Sequence, residues 1–112
     1  MSRPMREQSY LILLALAPEP LYGYGIISAV GELSEGRIKL ASGTLYTALD
    51  RLGTEGLVDV HREEVVDGRF RRYYTLTGAG RQAVEAETER RAALAARARS
   101  RLSLPRISPE LA

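Results

Sequence analysis

Three arginines, Arg69, Arg71 and Arg72, stand within four residues, directly after an Asp67-Gly68 step. A guanidinium is always charged and offers a planar fork of donors, which suits phosphate oxygens and the edge of guanine. Earlier in the chain, Ser42, Gly43, Thr44, Tyr46, Thr47 and Arg51 bring hydroxyls, one guanidinium and an unhindered backbone into one short run. Such groups hydrogen-bond to phosphates and to base edges, and none is bulky enough to block close approach. Tyr22 precedes Gly23, where a helix N-terminus would attract anions. The chemistry on offer is reversible binding of a polyanion. Each feature also has a plainer reading: a solvated helix face, a surface charge cluster partly neutralised by Glu63, Glu64 and Asp67, and core packing for Tyr22. Bond-making chemistry is poorly served. One histidine, no cysteine and scattered carboxylates give no nucleophile–base pair and no metal cluster, so neither an enzyme nor a cofactor nor a metal is expected. Gly23 and Gly25 do not make a dinucleotide fingerprint, since no strand is expected before them. His61 reads as a strand-surface residue.

The elements that must position these groups have to fit in 112 residues, which is one domain with room for an appended helix. A chain of this size buries a modest core and gains from dimerising. Hydrophobic content of 45% and charged content of 27% are those of a globular protein. Without a membrane-length apolar run or a leader-like start, the expected location is the cytoplasm, with no membrane partner. The formal net charge of +2 says little about a polyanionic partner; its excess lies in residues 77–112, which hold seven basic and four acidic side chains.

Residues 1–4 read as a frayed arm. From about Arg6, the run Ser9 to Ala17 is nearly continuous apolar sequence, and its Leu/Ala content favours helix. A helix apolar on almost every side needs two partners, here the core and a second subunit. A second helix is expected from about Gly23 to Ser34 with the stripe Ile26, Val30, Leu33. Arg37 to Leu40 alternates and suits a very short strand. The central helix has Leu45, Leu49 and Leu52 at i, i+4, i+7, with Ser42 as the expected N-cap and Gly56 as the left-handed stop. Its other face carries Thr44, Tyr46, Thr47 and Arg51. Tyr24 and Tyr74 are assigned to the core, and Tyr46 sits at the edge of the apolar stripe.

Residues 57–76 read as a hairpin around Asp67-Gly68. A two-residue turn at Asp67-Gly68 would pair Leu76 with Asp59 and Tyr74 with His61, setting polar groups on the face that Leu76 must bury. A shift of one pairs Leu76 with Val58 and Tyr74 with Val60. The expectation is therefore a three-residue loop, Val66-Asp67-Gly68, with Gly68 left-handed. In that register Arg69, Arg71, Tyr73 and His61 share the outer face, Glu63 stands opposite Arg71, and Arg72 points to the core side. Thr77 is the natural N-cap of a last helix, Arg81 to about Arg101, whose thin apolar content requires packing on the first helix, its own or a partner's. Pro105 and Pro109 mark a tail.

Helix, helix, recognition-like helix, hairpin and helix is the order of a winged helix–turn–helix, mainly α with a small β-wing (α+β). The segments Leu21-Tyr22-Gly23-Tyr24-Gly25-Ile26, Gly43-Thr44-Leu45-Tyr46, Glu55-Gly56-Leu57-Val58 and Gly68-Arg69-Phe70-Arg71-Arg72-Tyr73-Tyr74-Thr75-Leu76-Thr77 closely resemble the PadR family of transcriptional regulators, over roughly residues 6–85. Gly25 stands where such proteins usually carry an acidic residue, and Gly78 where a polar one is common. The resemblance implies a homodimeric repressor on a two-fold symmetric double-stranded operator, released by a small lipophilic or aromatic effector. It maps DNA reading onto Gly43, Thr44, Leu45 and Tyr46, and the wing onto Gly68 to Tyr73. The single terminal helix is similar to the shorter of the family's two layouts. The chain then divides into a winged helix–turn–helix (1–76), a dimerisation helix (77–103) and a disordered tail (104–112). Tyr10, Leu13, Leu14, Val84 and Leu94 are expected at the dimer and effector interface. The rival classes are a winged-helix module that binds a protein partner and a DNA binder without an effector.

Overall fold

A computed structural model describes residues 3–106. Its elements are α1 (Glu7–Leu16), β1 (Leu21–Tyr22), α2 (Gly23–Leu33), α3 (Ser42–Thr54), β2 (Val58–Val66), β3 (Arg69–Leu76) and α4 (Gly78–Leu102). The sheet has the antiparallel order β1-β3-β2, and the whole is a winged helix, α+β in class. The apolar stripe of α3 forms the floor of the core: Leu45, Leu49 and Leu52 meet Ile12, Leu13, Leu16, Ile26, Val30, Val58 and Tyr74. Burying such side chains contributes about 1.5–3 kcal/mol each.

Helix α1 is the central strut. Leu11, Ile12, Leu13, Ala15 and Leu16 are all buried, and the covering elements are α2, β3 and α4 of the same chain. A second subunit is not needed to explain why α1 is apolar on most sides. Its C-terminal end is met by Arg81, whose Nη2 donates to the Ala17 carbonyl at 2.7 Å, a cation placed where the helix dipole favours one. The arm before α1 is pinned rather than frayed from Arg3 onward. The Met5 amide donates to Glu87 at 3.1 Å, and Arg91 donates to the Met5 carbonyl at 3.2 Å. The first two residues of the arm and residues 107–112 of the tail lie outside the described residues.

Several local expectations are corrected. Residues 37–40 form no strand; burial of Ile38 and Leu40 anchors the α2–α3 connection, together with the Ile38 amide donating to Ser34 Oγ at 3.0 Å. The third strand is instead Leu21–Tyr22, pairing with Tyr74 and Tyr73 of β3, so a strand does precede Gly23. Ser42 is the first helical residue of α3, not its cap: Ala41 holds the cap position and no side chain caps the helix. Gly56 does end this helix with a left-handed φ of 79°.

The hairpin keeps the expected base register, Val58 with Leu76 and Val60 with Tyr74. The extra residue, however, is not in the loop. Val66 pairs with Arg69 across a two-residue turn. In that turn Asp67 (φ 51°) and Gly68 (φ 76°) are both left-handed, the geometry that matches strand twist. The shift is absorbed at His61, where a β-bulge separates the pairs Val60–Tyr74 and Arg62–Tyr73. Beyond it Glu63 faces Arg72 and Glu64 faces Arg71, rather than Glu63 facing Arg71.

Helix α4 starts as expected. Thr77 Oγ1 accepts from the Gly80 amide at 2.9 Å and donates to the Gly56 carbonyl at 2.6 Å. Gly80 is buried against the Leu57 carbonyl, where a Cβ would collide with backbone.

Candidate nucleic-acid interface

Helical periodicity sorts the exposed residues of α3 into three strips. Gly43, Thr47, Asp50 and Thr54 lie opposite the buried leucines, and all four are exposed. Tyr46 flanks this strip on the side of α2 and the wing. Its hydroxyl is tucked against Gly23, where any Cβ would overlap it. Thr44 and Arg51 share the other flank. Arg51 is occupied there: its Nη2 donates to Ser9 Oγ at 2.7 Å and its Nη1 to Glu55 at 3.2 Å. Arg51, expected among the groove-reading residues, fastens α3 to α1 here. Asp50, which the sequence reading passed over, is central on the outward face; a carboxylate there accepts from cytosine N4 and repels phosphate.

The wing has two faces, and the bulge decides which residue is on which. One carries Val58/Leu76, Val60/Tyr74, Glu63/Arg72 and Val65/Phe70; the other Asp59/Thr75, Arg62/Tyr73, Glu64/Arg71 and Val66/Arg69. Arg72 does share the face of Tyr74, as the register argument required. It is nonetheless exposed, because the hairpin has outrun the core by that point, and it donates to Glu63 at 3.0 Å. Arg71 lies over the Tyr22 ring at 4.5 Å, and Tyr22 in turn sits 5.5 Å from Tyr73 and 6.3 Å from Tyr24. Tyr24 is 70% exposed, not core; Tyr74 is buried in the core. Interaction with Tyr73 outweighs desolvation and raises the pKa of Arg71, while Tyr74 and then Glu63 raise that of Arg72, so both are cations at any physiological pH.

These pieces converge. Tyr22, Gly23, Tyr24, Ile27, Ser42, Tyr46, Arg69, Phe70 and Arg71 line one open cleft of about 450 Å³ between the wing and the start of α3. The guanidiniums of Arg69 and Arg71, several hydroxyls and the uncapped N-terminus of α3 meet there. The surface is rich in donors suited to phosphate, with no carboxylate among its lining residues. Residues 12–86 match the transcriptional regulator PadR-like family. This chain belongs to that family.

Among its relatives, a transcriptional regulator of Mycobacterium tuberculosis is 49% identical over 63 residues, 56% of this chain and 55% of its own length. A PadR-like transcription factor from Bacteroides fragilis superposes with a TM-score of 0.70 at 32% identity, covering 83% of this chain and 87% of that one. PadR of Bacillus subtilis, solved in complex with operator DNA, gives a TM-score of 0.62 at 24% identity, over 94% of this chain and 53% of that one. The chain spans between 25% and 65% of the length of the curated relatives it matches.

The PadR-like fold redistributes the residues expected at a dimer and effector interface. Leu13 and Val84 are both buried in the core of their own chain, so neither is available to a partner. Tyr10 is half-buried and hydrogen-bonds to Thr88 of its own α4 at 2.6 Å, with Arg91 stacked over its ring at 4.4 Å. Leu14 is half-buried and Leu94 is exposed, so these two remain open. A cavity of about 730 Å³ lies elsewhere, bounded by the arm (Arg3 to Arg6), Ser9, the end of α3 and the start of α4. Near its rim, buried Glu87 accepts from Met5, Arg90 and Arg91. Burial opposes its ionisation, but those donors prevail and hold its pKa below the ordinary carboxylate value. Glu7 is likewise lowered, chiefly by its hydrogen bonds from Arg37 at 2.9 and 3.0 Å.

Proposed function

We propose that this chain is a sequence-specific, DNA-binding repressor that acts as a homodimer on a two-fold symmetric operator and is released by a small lipophilic or aromatic effector. The observation that carries the reading is the cleft in which the start of α3 and the wing arginines face the same solvent volume. In this reading Gly43, Thr44, Tyr46 and Thr47 enter the major groove, Ser42 and the α3 amides meet a phosphate, and Arg69 and Arg71 follow the backbone or the adjacent minor groove. Tyr22 acts beneath Arg71. Family membership supports the regulatory role, and the operator complex of the Bacillus subtilis relative shows a protein of this fold on DNA.

Dimerisation is supported by the far half of α4. Leu94 and Leu102 are 61% and 85% exposed, and this stretch extends the same helix face that packs on α1 further back. A helix so thin in apolar contacts gains its order from a partner. On this reading residues 1–76 are the DNA-binding unit and the helix of 77–103 joins two copies. The effector reading is supported by the cavity of about 730 Å³ and by its wall residue Arg51 on α3. That volume lies within the usual size range of small-molecule sites.

The test is fluorescence anisotropy with DNA selected from a random pool by the protein itself, with random DNA as competitor. Selective, salt-sensitive binding that weakens in the Arg69→Ala/Arg71→Ala double variant is expected. Equal competition by random DNA would remove sequence specificity, and no recovered DNA would favour a protein-interaction role.

A further inference from the structure

We propose that Arg62, on β2, is a DNA-contacting residue of the wing, brought to the Arg71 face by the bulge at His61 and held there by the ring of Tyr73. The inference rests on the DNA-binding reading above and adds a residue to it. In an unbroken strand, residues 60 and 62 lie on one face. Val60 is on the core side of the hairpin, opposite Tyr74, so regular alternation would send Arg62 there too. The bulge inserts His61 without a cross-strand partner and reverses the alternation, so that Arg62 pairs with Tyr73 and faces outward.

The result is a row of four side chains. The Arg62 guanidinium lies 4.0 Å from the Tyr73 ring, Tyr73 is 5.5 Å from Tyr22, and Arg71 lies 4.5 Å from the Tyr22 ring. Two cations thus flank two rings along one side of the wing. Stacking takes one flat face of each guanidinium out of water and restricts its rotamers, while the in-plane N–H donors stay available. A side chain ordered in advance loses less entropy when it binds. Arg62 is otherwise loosely engaged. Its nearest carboxylate, Glu64, is 3.6 Å from Nε and its side chain is half exposed, a separation beyond good hydrogen-bond range. Arg72 differs, because Glu63 already holds it at 3.0 Å on the opposite face of the hairpin. Among the wing arginines the structure therefore favours Arg62 over Arg72, against the order that proximity to the turn suggests.

The experiment compares wild type, Arg62→Ala, Arg71→Ala, Arg72→Ala and Tyr73→Phe on DNA selected by the wild-type protein, titrated at several salt concentrations. Loss of a phosphate-directed guanidinium lowers the log–log salt slope by roughly 0.9 and weakens binding roughly ten-fold at moderate salt. Arg62→Ala and Arg71→Ala are each expected to show both effects. Arg72→Ala should stay within about two-fold of wild type, and Tyr73→Phe, which keeps the ring under Arg62 but removes the hydroxyl that interacts with Arg71, should fall between wild type and Arg71→Ala. Far-UV circular dichroism and melting of each variant exclude unfolding. Unchanged affinity in Arg62→Ala, beside a weakened Arg71→Ala, overturns the inference and leaves the regulator reading intact. Weakened affinity with an unchanged salt slope also overturns it, because that is a structural effect. If the wild type selects no DNA, the regulator reading itself fails.

Discussion

Replacing Glu87 with glutamine should destabilise the protein at neutral pH and much less in acid. The carboxylate is 4% exposed and accepts from the Met5 amide at 3.1 Å, from Arg90 at 2.6 and 3.2 Å, and from Arg91 at 2.9 Å. Glutamine has the same shape and one accepting oxygen, but it turns an NH₂ toward a guanidinium that also only donates. Breaking a fully buried ion pair costs about 3–5 kcal/mol. The Arg90 and Arg91 side chains are each 37% exposed, so water recovers part of that loss. About 2 kcal/mol is the expected cost, or roughly 8 °C in Tm for a domain of this size. The pH dependence has a definite sign. Because Glu87 is held below the ordinary carboxylate value, its contribution is complete above the unfolded value of 4.5 and is lost as pH falls through the folded one. Urea melts of both proteins at one fixed concentration, at about pH 7.5 and about pH 3, measure this. The gap should be wide at the first pH and clearly narrower at the second. Glu7 titrates in the same direction in both proteins and cancels from the difference. A gap of equal size at both values would refute the charge-based account, and no gap at neutral pH would refute the node altogether.

Three further substitutions probe other joints. Gly80→Ala places a methyl on the Leu57 carbonyl. The forced separation of α4 from the end of α3 should cost about 2–3 kcal/mol, seen as a lower urea midpoint and earlier proteolysis of α4. Gly68→Ala puts a side chain at φ 76° in the turn of the wing. Strain of about 1 kcal/mol far from the core should move Tm little but weaken DNA binding by misplacing Arg69 and Arg71. If two copies join through α4 as proposed, wild type sediments as a dimer and Leu94→Glu as a monomer in sedimentation velocity, while the helical circular dichroism of the body persists; a monomeric wild type would refute the dimer, and an unaltered dimer would place the interface elsewhere.

The hairpin illustrates what a sequence can and cannot locate. Apolar alternation on both strands demanded one extra residue between Val58 and Leu76, and one is present. Alternation is blind to where it sits, because a longer loop and a bulge restore the same parity at the base. Only the tip register separates them, and none of Val65, Val66, Arg69 and Phe70 is buried there, so burial imposes no parity. The α3 stripe was legible in full because Leu45, Leu49 and Leu52 are strongly periodic. Its partner Arg51 was not, since the deciding contact is the hydroxyl of Ser9, distant in sequence. Two-residue β1 is too short for any period to register, and Arg37 to Leu40 alternates with no strand available to pair it. The apolar run in α1 signalled burial correctly but could not say whose surface does the burying. The cleft residues were mostly named from hydroxyl and guanidinium chemistry together with the family likeness; outside the cleft, Asp50 on the outward face of α3 and Arg62 on the wing were missed, one for its sign of charge and one because its face depends on the bulge.

The fastening of α4 has a mechanical consequence. Its first turn is fixed to the end of α3 and to α1 by Thr77, Gly80 and Arg81, so the helix and the DNA-reading body move as one piece. Its other end carries the exposed leucines. In a dimer joined there, α4 is a lever of 25 residues, about 37 Å long at about 1.5 Å per residue. A change of about 10° in the angle between two such levers alters the separation of the two reading helices by roughly 6 Å, close to two base-pair steps of about 3.4 Å. The distance between half-sites that this protein tolerates would then be set by small residues such as Ala95 and Ala98 at the pivot, which themselves stay far from the DNA.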